Sequence, residues 1–180
     1  MSIVSAASPI DPFTGSWGSK GVPRLAKQLY NASQFFRGLR VQMRFGELTR
    51  APLKLLRFQV LGETAECDWL ARSPDPWDTD LPQNIRERHS SLQTLRDAID
   101  VRALLFDSLP HVDTAALRVY RDSPRFIREL VLKGYVQRND NSSRGVHSLA
   151  MRAKILGFRF NLEGHILRGI PMEQWDSICE

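Results

Sequence analysis

The sequence predicts an α+β protein in which one antiparallel sheet has helices packed on a single face, preceded by a basic amphipathic N-terminal helix. Three observations support this: period-two alternation in pairs of short segments, apolar residues three and four positions apart in longer segments, and turn residues between them. In chain order the elements form a ββα-ββα-ββ pattern behind the first helix. Strands joined by short turns pair antiparallel, and amphipathic helices need a surface to cover.

Length and composition fit one globular domain. The chain has 180 residues, of which 42% are hydrophobic and 25% are charged. Its apolar runs are strand-sized and interrupted by Lys or Arg, which excludes a bilayer-spanning helix. Residues 1–13 contain no basic residue and include Asp11, a pattern that does not fit a signal peptide. We therefore expect a cytoplasmic protein.

Positive charge is concentrated in the N-terminal third. Residues 1–58 carry nine Lys or Arg and two acidic residues, whereas residues 59–180 carry sixteen basic and eighteen acidic residues. The net charge of +5 therefore belongs to the start of the chain. Cys67 and Cys179 provide neither a disulfide framework nor metal-ligand spacing, so we predict no metal and no cofactor.

The chain divides into three predicted parts. Residues 1–23 are rich in Ser, Pro and Gly, which is typical of an extended lead-in arm. Residues 24–45 have helical spacing, and residues 50–180 form the single α+β domain. The apolar stripe of the N-terminal helix is predicted to consist of Leu25, Leu29, Ala32, Phe36, Leu39 and Met43.

Alternating segments predict the strands of the sheet. The predicted strands are Leu53–Leu61, Ala65–Arg72, Ala115–Arg121, Ile127–Arg138, Phe158–Leu162 and His165–Ile170. A turn at Gly62-Glu63 joins the first pair. The alternation places Leu56, Cys67 and Leu130 on the side that faces the helices, with Cys67 as a small buried apolar residue.

A long helix is predicted between the two hairpins. Asp80 and Gln83 have the spacing of a capping box, with Pro82 in the first turn, and Pro110 stops the helix after Leu109. Its predicted buried stripe consists of Ile85, Leu92, Leu95, Ile99, Ala103, Phe106 and Leu109. A shorter helix follows the second hairpin and ends at a left-handed glycine cap.

The basic helix and the arm are the first candidate surface. Such a helix packs on its own sheet, fills a groove of another protein, or lies along a membrane or phosphates. Tyr30 and Phe35 lie off the main stripe and widen the apolar surface, which favours a protein partner. The predicted partner-binding residues are Phe13, Trp17, Arg24, Lys27, Tyr30, Phe35, Arg37, Arg40, Arg44 and Trp77.

The face of the sheet away from the helices is the second candidate surface. Aromatic rings beside cations on a sheet are typical of proteins that stack single-stranded RNA bases. The predicted nucleic-acid-binding residues are Arg118, Tyr120, Lys133, Tyr135 and Arg159. Glu66 and Asp68 share this face and would repel phosphate, which weakens this alternative.

The loop around Trp77 is the third candidate. Asp75-Pro76-Trp77, like Asp11-Pro12-Phe13, resembles the short peptides that clathrin-adaptor appendage domains recognise. A Trp packed over the sheet edge, with Asp residues capping the next helix, explains the same residues, and we favour that interpretation.

No catalytic motif is recognisable in the sequence. We therefore predict a non-catalytic protein-binding subunit or adaptor, in a larger complex or a homo-oligomer, that docks through its arm and basic helix. Single-stranded RNA binding is the alternative. A third hypothesis, an enzyme with a pocket under the Trp77 loop, would require strongly shifted pKa values in a concave site.

Overall fold

The computed structural model describes residues 21–45, 53–74, 76–122, 128–139 and 145–173. The helices within this part of the chain are α1 (Gly21–Phe45), α2 (Gln83–Ser108) and α3 (Leu149–Ile155). The strands are β1 (Lys54–Leu61), β2 (Thr64–Leu70), β3 (Thr114–Asp122), β4 (Arg128–Gln137), β5 (Phe158–Arg159), β6 (Asn161–Glu163) and β7 (Ile166–Arg168). The α+β class with an N-terminal helix is confirmed.

The main sheet has five strands in the order β1-β2-β3-β4-β5, and it is mostly antiparallel. The pair β2–β3 is parallel, with Thr64 opposite Thr114, because α2 returns the chain to the same end of the sheet before β3 begins. The last strands also differ from the predicted order, since β5 joins β4 while β6 and β7 form a separate hairpin. The wholly antiparallel ββα-ββα-ββ arrangement is therefore wrong, because period-two alternation does not report strand direction.

The main core lies between the helices and one side of the sheet. Cys67 and Trp69 of β2 are fully buried there, and α1, α2 and α3 each contribute buried side chains to the same cluster. Phe35 of α1 is also fully buried in this cluster. The N-terminal helix therefore shares its core with the sheet that follows it.

A second, smaller cluster lies on the opposite side of the sheet. Leu70, Tyr120 and Leu130 are buried in it, with Leu56 and Ile170 packed against them. Leu70 follows Trp69 directly along β2, so the two side chains point to opposite faces. The expected inward positions of Leu56 and Leu130 are wrong, because register shifts in β1 and between β3 and β4 reverse the alternation locally.

Helix α2 differs from its prediction at its start and along its buried face. It begins at Gln83 with Pro82 as N-cap residue and no side-chain capping bond, so the capping box at Asp80 is wrong. Leu92 is 46% exposed, and Ala103 is exposed as well. The buried residues of α2 are Ser91, Thr94, Leu95, Asp97, Ala98, Ile99, Val101, Leu104, Leu105 and Phe106.

Two predicted turns are confirmed. Gly62 and Glu63 form the turn between β1 and β2. Gly157 follows α3 with φ of +92°, and a Cβ at this position would lie 2.8 Å from the carbonyl oxygen of Tyr135. Only glycine accepts both that dihedral and that approach, so it allows the chain to enter β5 beside β4.

Candidate functional site

The first three turns of α1 carry an exposed apolar surface. Leu25, Leu29 and Tyr30 are 58%, 64% and 63% exposed, and we call these three residues the N-terminal patch. Arg24 and Lys27 are exposed beside them. Leu25 and Leu29 are one helical turn apart, so their side chains lie on one face. An apolar face bordered by cations is therefore open to solvent at this end of the helix.

The following turns of α1 hold the helix to the domain. The Phe35 ring stacks on the Phe58 ring with centroids 4.9 Å apart, and the Phe36 ring meets Phe58 edge-on at 5.1 Å. Leu39 is buried one turn after Phe35. Phe35 is therefore a core residue and presents no surface to a partner, contrary to the exposed position expected for it. Phe35 and Phe36 are adjacent and both fit the helical spacing of the apolar residues, so the sequence does not show which of the two is buried.

The remaining predicted partner-binding residues have different positions. Arg37 and Arg40 are exposed along the same helix. Trp77 is 77% exposed on the short 3₁₀ turn Pro76–Asp78, so a Trp packed over the sheet edge is wrong. The side chain of Arg44, together with Phe13, Trp17 and Asp75, lies outside the described residues.

An ionic network occupies the sheet face away from the main core. Arg118 Nη1 donates a hydrogen bond of 3.1 Å to Asp68 Oδ1, and it lies 3.6 Å from Glu66 Oε2. Arg57 Nη2 is 2.5 Å from the same Glu66 oxygen. Burial raises the pKa of the Asp68 carboxyl, although the Arg118 charge acts to lower it. Asp68 and Glu66 thus neutralise Arg57 and Arg118 instead of leaving them for phosphate.

The two predicted stacking tyrosines differ in exposure. Tyr120 lies on the predicted face but is only 1% exposed, because the second cluster covers its ring. Tyr135 is 61% exposed, and its hydroxyl donates a hydrogen bond of 3.2 Å to Thr114 Oγ1. Of this pair, Tyr135 is the residue whose ring is exposed.

A cleft of about 550 Å³ opens beside Tyr135, and we call it the sheet cleft. Its charged lining residues are Arg118, Lys133, Lys154, Arg159 and Glu173. Lys133 Nζ lies 2.9 Å from Glu173 Oε1, and Lys154 Nζ lies 5.6 Å from the centre of the Phe160 ring. The cleft brings together four of the five residues predicted for nucleic acid. Sequence reasoning missed Lys154, since α3 carries it far along the chain from β3.

A second cleft, of about 480 Å³, lies between the end of β2 and the first turns of α2. We call it the arginine cleft, because Arg72, Arg86, Arg121 and Arg168 line it. Arg72 Nε is 3.0 Å from Asp97 Oδ2, and Arg121 Nη2 is 2.6 Å from Glu129 Oε2. The sequence contains no signal for this cleft, since its arginines come from four separate segments.

Among the described residues, the cysteine and the candidate metal ligands lie in the following surroundings. Cys67 is fully buried, and burial together with the Asp68 carboxylate raises the pKa of its thiol. Neither Cys67 nor Asp68 lines the arginine cleft, which adjoins the Trp77 loop. Over the described ranges, no group of three His, Cys, Asp or Glu side chains is arranged to hold a metal ion.

Comparison of the chain with protein-family models, with curated proteins and with solved structures gives no match. Within the part of the chain that the structure describes, none of the helices has the length and hydropathy needed to cross a bilayer. The assignment of function therefore depends on the surfaces described above.

Proposed function

We propose that this chain is a non-catalytic assembly subunit or adaptor that docks on another protein through the first turns of α1. The observation that carries the proposal is the N-terminal patch, in which three large apolar side chains are more than half exposed. Contiguous exposed apolar surface is typical of protein contacts. The arm that precedes α1, with Phe13 and Trp17, remains part of the predicted docking element.

The apolar and basic side chains of α1 indicate what kind of surface a partner protein would present to it. Leu25 and Leu29 have the spacing of anchor residues that an amphipathic helix inserts into an apolar groove. Four exposed cations, Arg24, Lys27, Arg37 and Arg40, flank the apolar residues along the helix. We therefore expect a partner protein with an apolar groove and acidic groups on its rim, which would guide the encounter.

Site-specific photo-crosslinking in the source cells tests this proposal on the full chain. A photoreactive residue at position 29 should give one dominant crosslinked protein, and the same residue at Leu92, which is 46% exposed on α2, should not. Substituting Leu25→Gln in the position-29 chain should weaken the crosslink, since Gln preserves helix propensity while removing apolar surface. Equal crosslinking from both positions would contradict the proposal, and a crosslink between two copies would identify the partner as this chain.

Single-stranded nucleic acid is the second candidate ligand, because the sheet cleft gathers predicted cations around one exposed ring. Arg159 and Lys154 approach the cleft from β5 and α3, and Tyr135 lies at its edge. The Tyr135 ring provides a stacking surface, and the cations provide contacts to phosphate. Tyr120 has no part in this version of the proposal because its ring is buried.

Fluorescence anisotropy with an oligouridylate tests the second candidate. Affinity should fall steeply as salt rises, and Tyr135→Ala should weaken binding by about 1–3 kcal/mol. Lys154→Gln should reduce the salt dependence, whereas Arg88→Gln, at an exposed position outside the cleft, should leave it unchanged. Binding that does not depend on salt, or equal effects of both charge variants, would exclude the sheet cleft. A cytoplasmic location stays a prediction under both proposals.

A further inference from the structure

The arginine cleft has the size and construction of a small-molecule site. Its volume of about 480 Å³ falls within the range of ligand pockets in proteins. Arg72 follows β2, Arg86 is in the first turn of α2, and Arg121 and Arg168 come from β3 and β7. Regular elements or the residues next to them carry all four arginines, so their backbone positions are fixed before a ligand arrives.

Two of these arginines have buried N–H groups that lack an acceptor. The Arg72 side chain is only 4% exposed, and its Nε and Nη1 atoms make no hydrogen bond. Its Nε lies 3.0 Å from Asp97 Oδ2, so the two side chains form an ion pair. Arg86 Nε is also buried without a hydrogen-bond partner. Buried charged donors without acceptors are costly, and both side chains line this cleft.

The balance of charge in the cleft selects the class of ligand. Four arginines line it together with the acidic residues Glu87, Asp122 and Glu129. Arg121 is paired with Glu129 and Arg72 with Asp97, and Arg168 Nε lies 3.3 Å from Glu163 Oε2. Because three of the four guanidinium groups already lie beside a carboxylate, the cleft suits one monoanionic group and disfavours a polyanion. A carboxylate also matches the planar fork of a guanidinium, to which it binds through two oxygens.

We propose that the arginine cleft binds the carboxylate of a small organic molecule, with Arg72 and Arg86 as its donors. This site is separate from the N-terminal patch and from the sheet cleft. Its ligand differs from nucleic acid in size and in charge. The carboxylate provides the acceptors that the buried N–H groups lack, and the apolar lining from Ala71 and Pro74 contacts the rest of the molecule.

Titration of the ¹⁵N-labelled full chain with benzoate, followed by NMR of the arginine Nε–H signals, tests the proposal. Chloride replaces benzoate in the reference samples to keep ionic strength constant. The Nε–H signals of Arg72 and Arg86 should shift with one saturable curve, while that of Arg88, which is exposed on α2, should not. Acetate should compete at the same signals. Inorganic phosphate serves as the second anion and should bind more weakly.

Two matched variants complete the test. Arg86→Gln should weaken benzoate at least tenfold, as followed by the Arg72 signal, and Arg88→Gln should leave the affinity unchanged. Circular dichroism checks that each variant is folded. If Arg86→Gln does not fold, the wild-type titration alone still tests whether the arginine cleft binds benzoate. Absence of saturable shifts, equal effects of the two variants, or tighter binding of phosphate than of benzoate would overturn the proposal.

Discussion

The two halves of α1 contrast sharply although they belong to one helix. Leu25 and Leu29 at its start are 58% and 64% exposed, whereas Phe35 and Leu39 are 0% and 8% exposed. Both pairs are apolar and spaced one turn apart. The difference lies in what the helix meets, because the second half covers Phe58. Amphipathic spacing therefore predicts the helix, but the neighbouring surface decides which turns become core.

The contrast predicts different roles for the two halves. Phe35 and Leu39 in the second half are buried by the rest of the domain and contribute to the stability of the fold. The first half leaves apolar surface in water, and in our proposal a partner covers that surface. Substitutions in each half should therefore change different measured properties, which makes the contrast testable.

Phe35→Ala should have the largest effect on stability. It removes a fully buried ring that stacks on Phe58, and we expect a loss of about 3–5 kcal/mol in the free energy of unfolding. Urea denaturation followed by circular dichroism measures the loss. Tyr30→Ala in the first half is the matched control, and it should change stability by no more than about 0.5 kcal/mol. Similar losses for both variants would abolish the distinction between the halves.

Gly38→Val should have the next largest effect on stability. It tests how closely the second half of α1 approaches α2. A Cβ at Gly38 would lie 2.5 Å from Leu104 Cδ1, so the larger side chain overpacks the contact. We expect a loss of about 1–3 kcal/mol in the free energy of unfolding. In a double-mutant cycle, Leu104→Ala should recover part of that loss by making room. Strict additivity of the two substitutions would mean that the helices do not meet at this point.

Hydrogen exchange should show the same division without any substitution. Amides near Leu29 are covered by few side chains, whereas those near Leu39 are held by core packing. We expect exchange to be about tenfold faster or more in the first half, which corresponds to about 1.4 kcal/mol in opening free energy. Peptide-resolved mass spectrometry of the isolated full chain measures both segments. Addition of the partner should slow exchange in the first half only.

The double variant Leu25→Gln, Leu29→Gln should have the smallest effect on stability. Both side chains are exposed and Gln has similar helix propensity, so the free energy of unfolding should change by no more than about 0.5 kcal/mol. Co-purification of the partner that crosslinking identifies should nevertheless be lost. A large loss of stability in urea denaturation would show that the N-terminal patch is part of the core.

The sequence predicted local structure better than the pairing of strands. Period-two alternation located β1 and β2 and their turn at Gly62, because each depends on residues close together in the chain. It did not predict the parallel pairing of β2 with β3, which α2 determines from outside both strands. The register shifts that place Leu56 and Leu130 in the second cluster concern pairing between strands, which alternation within one strand does not report.

The surfaces were predictable only in part for the same reason. Arg118, Lys133, Tyr135 and Arg159 do meet at one cleft, since strand alternation placed them on one face. Alternation did not predict the burial of Tyr120, because the chain after β7 provides its cover, with Ile170 N donating to Leu130 O at 2.8 Å. The arginine cleft depends on four segments that only the tertiary structure brings together.

The parallel pairing of β2 and β3 has a consequence for how the chain reaches its folded state. Thr64 pairs with Thr114 fifty positions later. The two strands can therefore meet only when the chain between them, which includes α2, has folded back. Pairings of such high sequence separation slow folding, because loop-closure entropy is lost before the contact contributes stability. On the ribosome, β1 and β2 emerge well before β3 and present an unpaired inner edge in the meantime. The interval before β3 arrives is therefore when the nascent chain is most exposed to aggregation, and when a chaperone would have most effect.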